Sequence, residues 1–328
     1  MSSTKNKTRK RGRKVMMIVL IIVAAYVGLT IISTVVNQIL SRNELAGIEP
    51  TGQMVEVNGS MMHIRSMGDG EQTIVIMPGL GTALPSSSFA PFARERATDF
   101  TVVIIDYFGT GFSNQVDTPR TNANFADEIR QALFAGGFEP PFILMPHSAS
   151  GAYADYFAIR HPDEVTALVL LDTVHTHKHL EPNATELLVQ LSRFAQFVGS
   201  PRLLNRILMS SLYGYNGENG FTPEEVGKIR LFMNHEVNLT SMNRIRLYNE
   251  TIHEVVALDF PQDIPVLSIR PTRPNPGSPM NSQENNEAHM ARYGAGSQMI
   301  ILEGNHNIHM GNYVAIREAI NEFLDGQM

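Results

Sequence analysis

The stretch Met145-Pro146-His147-Ser148-Ala149-Ser150-Gly151 limits what this chain can fold into more than any other. It follows the apolar run Phe142-Ile143-Leu144 and leads into Ala152-Tyr153-Ala154-Asp155-Tyr156-Phe157-Ala158, which reads as a helix. A strand that turns sharply into a helix brings backbone against backbone, so small residues are needed two places either side of the tip. A Gly-x-Ser-x-Gly sequence meets that need and holds its serine in strained backbone geometry. Pro146 and Ser150 occupy the two glycine places here, so the match lies in the pattern rather than the letters. A second register, centred on Ser150 between Ser148 and Ala152, stays open. The plainer alternative is a strand–loop–helix junction with incidental serines.

A junction of this kind belongs to a parallel sheet, and the chain supplies the strands for one. Thr73–Met77, Thr101–Ile105, Phe142–Met145, Ala167–Leu171, Val266–Ile269 and Met299–Leu302 are continuous apolar runs. Runs apolar on both faces fit a sheet covered by helices on both sides. Helices are predicted between them at Ser87–Arg96, Asn124–Ala135, Gly151–Arg160 and Tyr313–Leu324. Met54–Val57 and Met62–Arg65 flank Asn58-Gly59, a hairpin signal. The expected fold is α/β, a doubly wound and mostly parallel sheet opening on a hairpin. Residues 176–262 break the alternation, with helical stretches Ala184–Val198, Pro201–Leu212, Pro223–Glu236 and Ser241–Val256 and no strand-like run. They are expected to form a helical insertion that divides the core into residues 53–175 and 263–328.

Ahead of this core, Val15 to Val36 is an uncharged run of 22 residues, and about 20 apolar residues suffice for a helix to cross the hydrocarbon core. Lys5, Lys7, Arg9, Lys10, Arg11, Arg13 and Lys14 precede it, and no acid occurs before Glu44. Basic flanks are retained in the cytoplasm. The expected topology is single-pass: residues 1–14 a basic cytoplasmic tip, 15–36 a transmembrane helix, 37–52 a linker, and the remainder extracytoplasmic. A cleaved signal peptide is the alternative, although its apolar region is shorter, about 7–15 residues. Without the basic tip, 19 basic residues face 32 acidic ones, and an acidic body argues against nucleic acid as a partner. The absence of cysteine excludes disulfides and thiolate chemistry. Composition leaves the oligomeric state open.

A nucleophilic serine needs a base, an orienting acid and donors for an oxyanion. His306, in Gly304-Asn305-His306 between the last strand and the final helix, is the candidate base, with His309 a nearby competitor. Gly79 and Gly81 let the backbone after Thr73–Met77 approach closely, so the Leu80 amide is one candidate donor. The amide of Ala149, directly after Ser148, is the other. His175, His177 and His179 alternate, a spacing that two or three metal-binding imidazoles can adopt. No carboxylate cluster accompanies them, so they are expected to line an opening or face solvent, and neither a metal nor a cofactor is expected.

The chain resembles the α/β-hydrolase superfamily over about residues 53–326. The resemblance rests on Pro78-Gly79-Leu80-Gly81, on Asp106-Tyr107-Phe108-Gly109-Thr110-Gly111-Phe112-Ser113, on His147-Ser148-Ala149-Ser150-Gly151 and on Gly304-Asn305-His306. It implies an α/β-hydrolase fold in which the helical insertion caps the substrate pocket. It also implies a serine hydrolase acting on an ester-like or amide-like acyl substrate, small or lipid-like, through an acyl-enzyme. The His-Ser pairing favours Ser148 over Ser150, and the second motif resembles a structural turn, which sets Asp106 aside. A dehalogenase or epoxide hydrolase of this superfamily would need a carboxylate where Ser148 stands. Many relatives carry their acid after the strand represented by Ile264–Ile269, yet this chain continues Arg270-Pro271-Thr272-Arg273. Asp172, at the end of the preceding strand, keeps the order Ser, acid, His and is the candidate, while Glu284 and Glu287 fall later on a helix. The missing aspartate also admits a second reading, a catalytically impaired binding or interaction module. Phe194, Phe197, Leu203, Leu208, Met209 and Leu212 are expected either to pack or to wall an acyl site.

Overall fold

The computed structural model describes residues 2–177, 185–202, 204, 214–273 and 282–326, with side chains from residue 13 onward, Thr185 excepted. Among them eight strands form one sheet: β1 (Gln53–Val57), β2 (Ser60–Met67), β3 (Thr73–Met77), β4 (Thr101–Asp106), β5 (Phe142–Pro146), β6 (Val165–Leu171), β7 (Val266–Pro271) and β8 (Gln298–Leu302). Their order is β1-β2-β4-β3-β5-β6-β7-β8, and β2 alone runs against the rest. Asn58 and Gly59 turn the opening hairpin with φ of 51° and 76°. Two successive left-handed residues match the twist of the strands they join, and Asn-Gly tolerates them.

Alternate strand residues feed two apolar layers. Val75, Val103 and Leu144 pack under α4 (Asn122–Ala135) and α5 (Ser150–Arg160), through Phe125, Ile129, Tyr153 and Phe157. Ile74, Ile76, Ile104 and Met145 face the other way. They meet Phe92 on α3 (Ala90–Arg96) and Ile316, Ile320 and Phe323 on the terminal helix (Tyr313–Asp325). A short helix, α2 (Pro85–Ser88), precedes α3, so the helix expected over Ser87–Arg96 is two pieces broken at Phe89. The neighbours of β3 in the sheet are β4 on one side and β5 on the other, so connections leave in opposite directions at the ends of β3 and β5. The crevice that opens at such a switch point is where open α/β sheets bind ligands.

Between β6 and β7 lie α6 (Thr185–Val198), α7 (Pro223–Met233), α8 (Leu239–Arg246) and α9 (Tyr248–Val256). Thr222 and Asn238 cap α7 and α8 through reciprocal bonds with Glu225 and Ser241. The single helix expected over Ser241–Val256 divides at Leu247, whose φ of −90° and ψ of 6° end the first piece. After β7 comes α10 (Gln283–Met290), and the Tyr313–Asp325 helix is α11. Most of the helix expected over Pro201–Leu212 lies outside the described residues, as do His179, Leu203, Leu208, Met209 and Leu212. Phe194 and Phe197 do not pack inward as expected; both are exposed.

The N-terminal helix α1 spans Ser2–Ser41. Its stretch Arg13–Ser41 contains an 18-residue window of mean hydropathy 2.9 and is long and apolar enough to cross a membrane. The helix therefore runs on into the expected linker.

Candidate active site

Ser148 stands between β5 and α5 with a φ of +56°, the left-handed geometry that a β-carbon resists. The surroundings over-determine it: His147 donates its amide to Met77 O at 2.9 Å, Ser148 to Leu171 O at 3.2 Å, and Val174 to Ser148 O at 3.0 Å. The loop after β3 crosses directly over this turn. A β-carbon at Gly79 would stand 2.8 Å from that of Ser148 and 3.1 Å from His147 Nδ1, so only glycine allows the approach. That contact brings the Leu80 loop to the serine from one side, while the Ala149 amide follows it on the other. Neither amide finds an acceptor among the described residues.

The loop after β8 brings His306 to the same point. Its Nε2 lies 2.9 Å from Ser148 Oγ and its Nδ1 lies 2.6 Å from Asp172 Oδ2. The carboxylate accepts from Nδ1–H, which leaves Nε2 to accept the serine proton. Asp172 ends β6 with a φ of +41° and is buried. Its Oδ1 faces Arg270 Nη1 at 3.4 Å, and the same nitrogen donates to Thr173 O at 2.5 Å. Arg270, at the strand end that the sequence shows to lack an aspartate, thus presents a buried cation to the aspartate of the neighbouring strand. Spacing could not reveal this pairing, since the two residues are 98 positions apart. Glu284 and Glu287 lie on α10 as expected.

The competitors take other roles. Ser150 Oγ is fully buried and donates to Pro78 O at 2.5 Å. His309 stacks on Phe89 with ring centroids 4.3 Å apart, and neither of its nitrogens has a hydrogen-bond partner among the described residues. Burial and the neighbouring His306 push its pKa down to about 3. His147 bonds the His306 carbonyl through Nε2 at 2.9 Å and so helps fix the loop that carries it. Burial first, and then His306, hold His147 well below the usual imidazole range. Asp106 is saturated by Ser86, Phe112 and His63, and a β-carbon at Gly111 would fall 2.0 Å from its Oδ2. That environment is structural, as the turn motif implied. His175 does not face solvent: it is buried and bonds Asn286 Oδ1 at 2.8 Å.

Two residues of the inserted segment border the site and were not singled out in the sequence. Arg244 of α8 points its guanidinium at Pro78 O (3.1 Å), Gly79 O (3.4 Å) and Ser150 Oγ (3.3 Å). It lies over the rings of Tyr107, Phe125 and Tyr153. Glu236 reaches the loop beside Leu80, with Oε1 3.5 Å from where a β-carbon of Gly81 would be. Burial pushes its carboxyl up to about 7, against the pull of Arg244.

Comparison with known proteins agrees with this fold. A family model described as "alpha/beta hydrolase fold" matches residues 72–210, and the sheet and its flanking helices have that fold. Among curated relatives, the uncharacterized protein YbdG of Bacillus subtilis is 32% identical over 160 residues, covering 48% of this chain and 49% of that one. Proline iminopeptidase PfmaB of Pestalotiopsis fici is 30% identical over 149 residues, covering 44% and 52%. The pimeloyl-[acyl-carrier protein] methyl ester esterase of Chromobacterium violaceum is 25% identical over 236 residues, covering 61% and 89%. The chain spans about half the length of the first two. Among solved structures, the enol-lactonase of Burkholderia xenovorans aligns with a TM-score of 0.60 at 19% identity, over 83% of this chain and 100% of its own. A Bacillus megaterium epoxide hydrolase aligns at 0.62 and 18% over 83% and 100%. At these identities the likeness is one of fold.

Proposed function

We propose that this chain is a membrane-anchored serine hydrolase that cleaves an ester-like or amide-like acyl substrate through an acyl-enzyme. The observation that carries the reading is the hydrogen-bonded line from Asp172 through His306 to Ser148. Ser148 Oγ attacks the substrate carbonyl while His306 Nε2 takes its proton. Asp172 holds the imidazole in the tautomer that can accept it and stabilises the imidazolium that forms. The amides of Leu80 and Ala149 receive the oxyanion, and a preorganised donor of this kind contributes about 10²–10³-fold in rate. His306 then protonates the leaving group. It next draws a proton from water, which releases the acyl group as an acid.

Residues 176–262, with α6 to α9, act as the cap over the crevice, and α1 as the anchor, its basic tip cytoplasmic and the rest outside. The names of the relatives, an esterase and an iminopeptidase, support both ester and amide substrates. With Asp172 against His306, the reading as an impaired binding module loses the gap that motivated it. A fluorophosphonate probe tests the mechanism. It is expected to label the wild-type protein and not Ser148→Ala; equal labelling of the two would overturn the assignment.

A further inference from the structure

α6 carries an apolar face that no other described residue covers. Leu187, Leu191 and Phe194 follow one another at spacings of four and three, so they form one ridge. They are 60%, 55% and 61% exposed, with Leu188 and Phe197 exposed beside them. Val189, on the opposite side, is fully buried. That inner side packs on α8, where Arg246 pairs with Glu186. A single exposed leucine is ordinary, whereas a contiguous ridge of five large apolar side chains marks a surface that meets something apolar.

The position of α6 beside α1 identifies what it meets. Ser33 Oγ donates to Val198 O at 2.6 Å, and Asn37 Nδ2 donates to Gln196 O and Phe197 O at 2.9 and 3.2 Å. These last carbonyls of α6 lack partners four residues on, Gln196 O accepting from Gly199 N–H at 3.2 Å, and side chains of α1 bond to them. Arg202 then bonds Asn37, Ser41 and Glu44, and Glu44 also meets His235. The junction is a polar clamp. Counted from Val15, a helix of about 20 residues crosses the hydrocarbon core, so the far boundary falls near Ser33 to Asn37. The clamp therefore sets the C-terminal end of α6 at the level where the bilayer ends.

We infer that the Leu187–Phe197 face of α6 lies in the membrane interface, docking the inserted helices onto the lipid surface beside the anchor. An amphipathic helix with leucine and phenylalanine on one side takes that position. The inference rests on the reading of α1 as a membrane span. It puts α8, and the crevice Arg244 borders, one helix layer away from the bilayer.

The chain has no tryptophan, so single tryptophans report without background. Full-length Phe194→Trp, Tyr26→Trp and Val314→Trp proteins are reconstituted in phosphatidylcholine vesicles with and without brominated acyl chains. Tyr26 lies in α1, and Val314 is an exposed residue of α11. Quenching of about twofold or more is expected at Tyr26→Trp and at Phe194→Trp but not at Val314→Trp, as for side chains buried at the acyl boundary. Quenching at Tyr26→Trp alone would overturn the inference and leave the span standing. A Phe194→Trp signal that is protected from bromolipid but shifts with protein density would overturn it in favour of a second copy on this face. Equal quenching at Val314→Trp would remove the special role of α6, and quenching at none would overturn span and inference together.

Discussion

Asp172 sits at a φ of +41°, a region that aspartate and asparagine tolerate better than other branched or bulky side chains. Replacing it by asparagine therefore keeps the backbone and removes only the charge. Under the proposed mechanism Asp172→Asn lets His306 take the wrong tautomer, and kcat on an activated ester is expected to fall by about 10⁴ with KM little changed. An unchanged kcat would take Asp172 out of the reaction. The serine and the histidine were legible because each is announced by its own neighbours: a strand and small residues around Ser148, a terminal strand and helix around His306. The acid had no such neighbourhood. No turn or small-residue pattern sets Asp172 apart, and the residue that faces it, Arg270, comes from another strand.

At the scale of elements, α8 is held to the core by a buried cation. Arg244 meets the carbonyls of Pro78 and Gly79 and lies 5.0–5.4 Å from three ring centroids. Such an arrangement combines hydrogen bonds to a charged donor with cation–π attraction in a site that excludes water. Arg244→Met keeps the apolar stem and loses the charge, and is expected to lower stability by about 2–4 kcal/mol in a urea titration. A loss below that of an ordinary surface change would show that packing alone seats α8. The strands and flanking helices match the spans read from apolar runs, because a strand covered on both faces must be apolar throughout. The break at Phe89 is marked by Pro91, which fits the first turn of a new helix and not the interior of one, whereas the break at Leu247 has no such residue beside it.

For the whole molecule, acid stability follows from its buried histidines. His147, His175, His289 and His309 are buried, and burial lowers the pKa of each, to about 3 for His175 and His309. The unfolded chain takes up protons at these sites near pH 6.5, whereas the folded chain does not. The unfolded state then holds more protons, so stability falls as the pH drops from 6.5 toward 3, by up to about 1.4 kcal/mol per pH unit for each site. Burial raises Glu128, Asp155 and Glu236 instead, so these take up protons in the folded state and soften the slope. His309 is the cleanest probe, because it stacks on Phe89 and its nitrogens have no partner among the described residues. His309→Phe is expected to close its stability gap with, or overtake, the wild type between pH 7 and pH 5 in urea midpoints. A gap independent of pH would refute the assignment.

What the sequence determined by itself is local in character. Apolar runs of strand length, the turn after β5, the loop after β3 and the long uncharged helix all depend on residues within a few positions of each other, and all were legible. Tertiary structure decided which of two serines meets a base, because Ser150 turns inward to Pro78 while Ser148 turns outward to His306. It also decided which carboxylate faces that base, and that the end of α1 is clamped to α6. These contacts join residues 72 to 165 positions apart. The order of strands in the sheet brings such residues together, and no periodicity along the chain encodes that order.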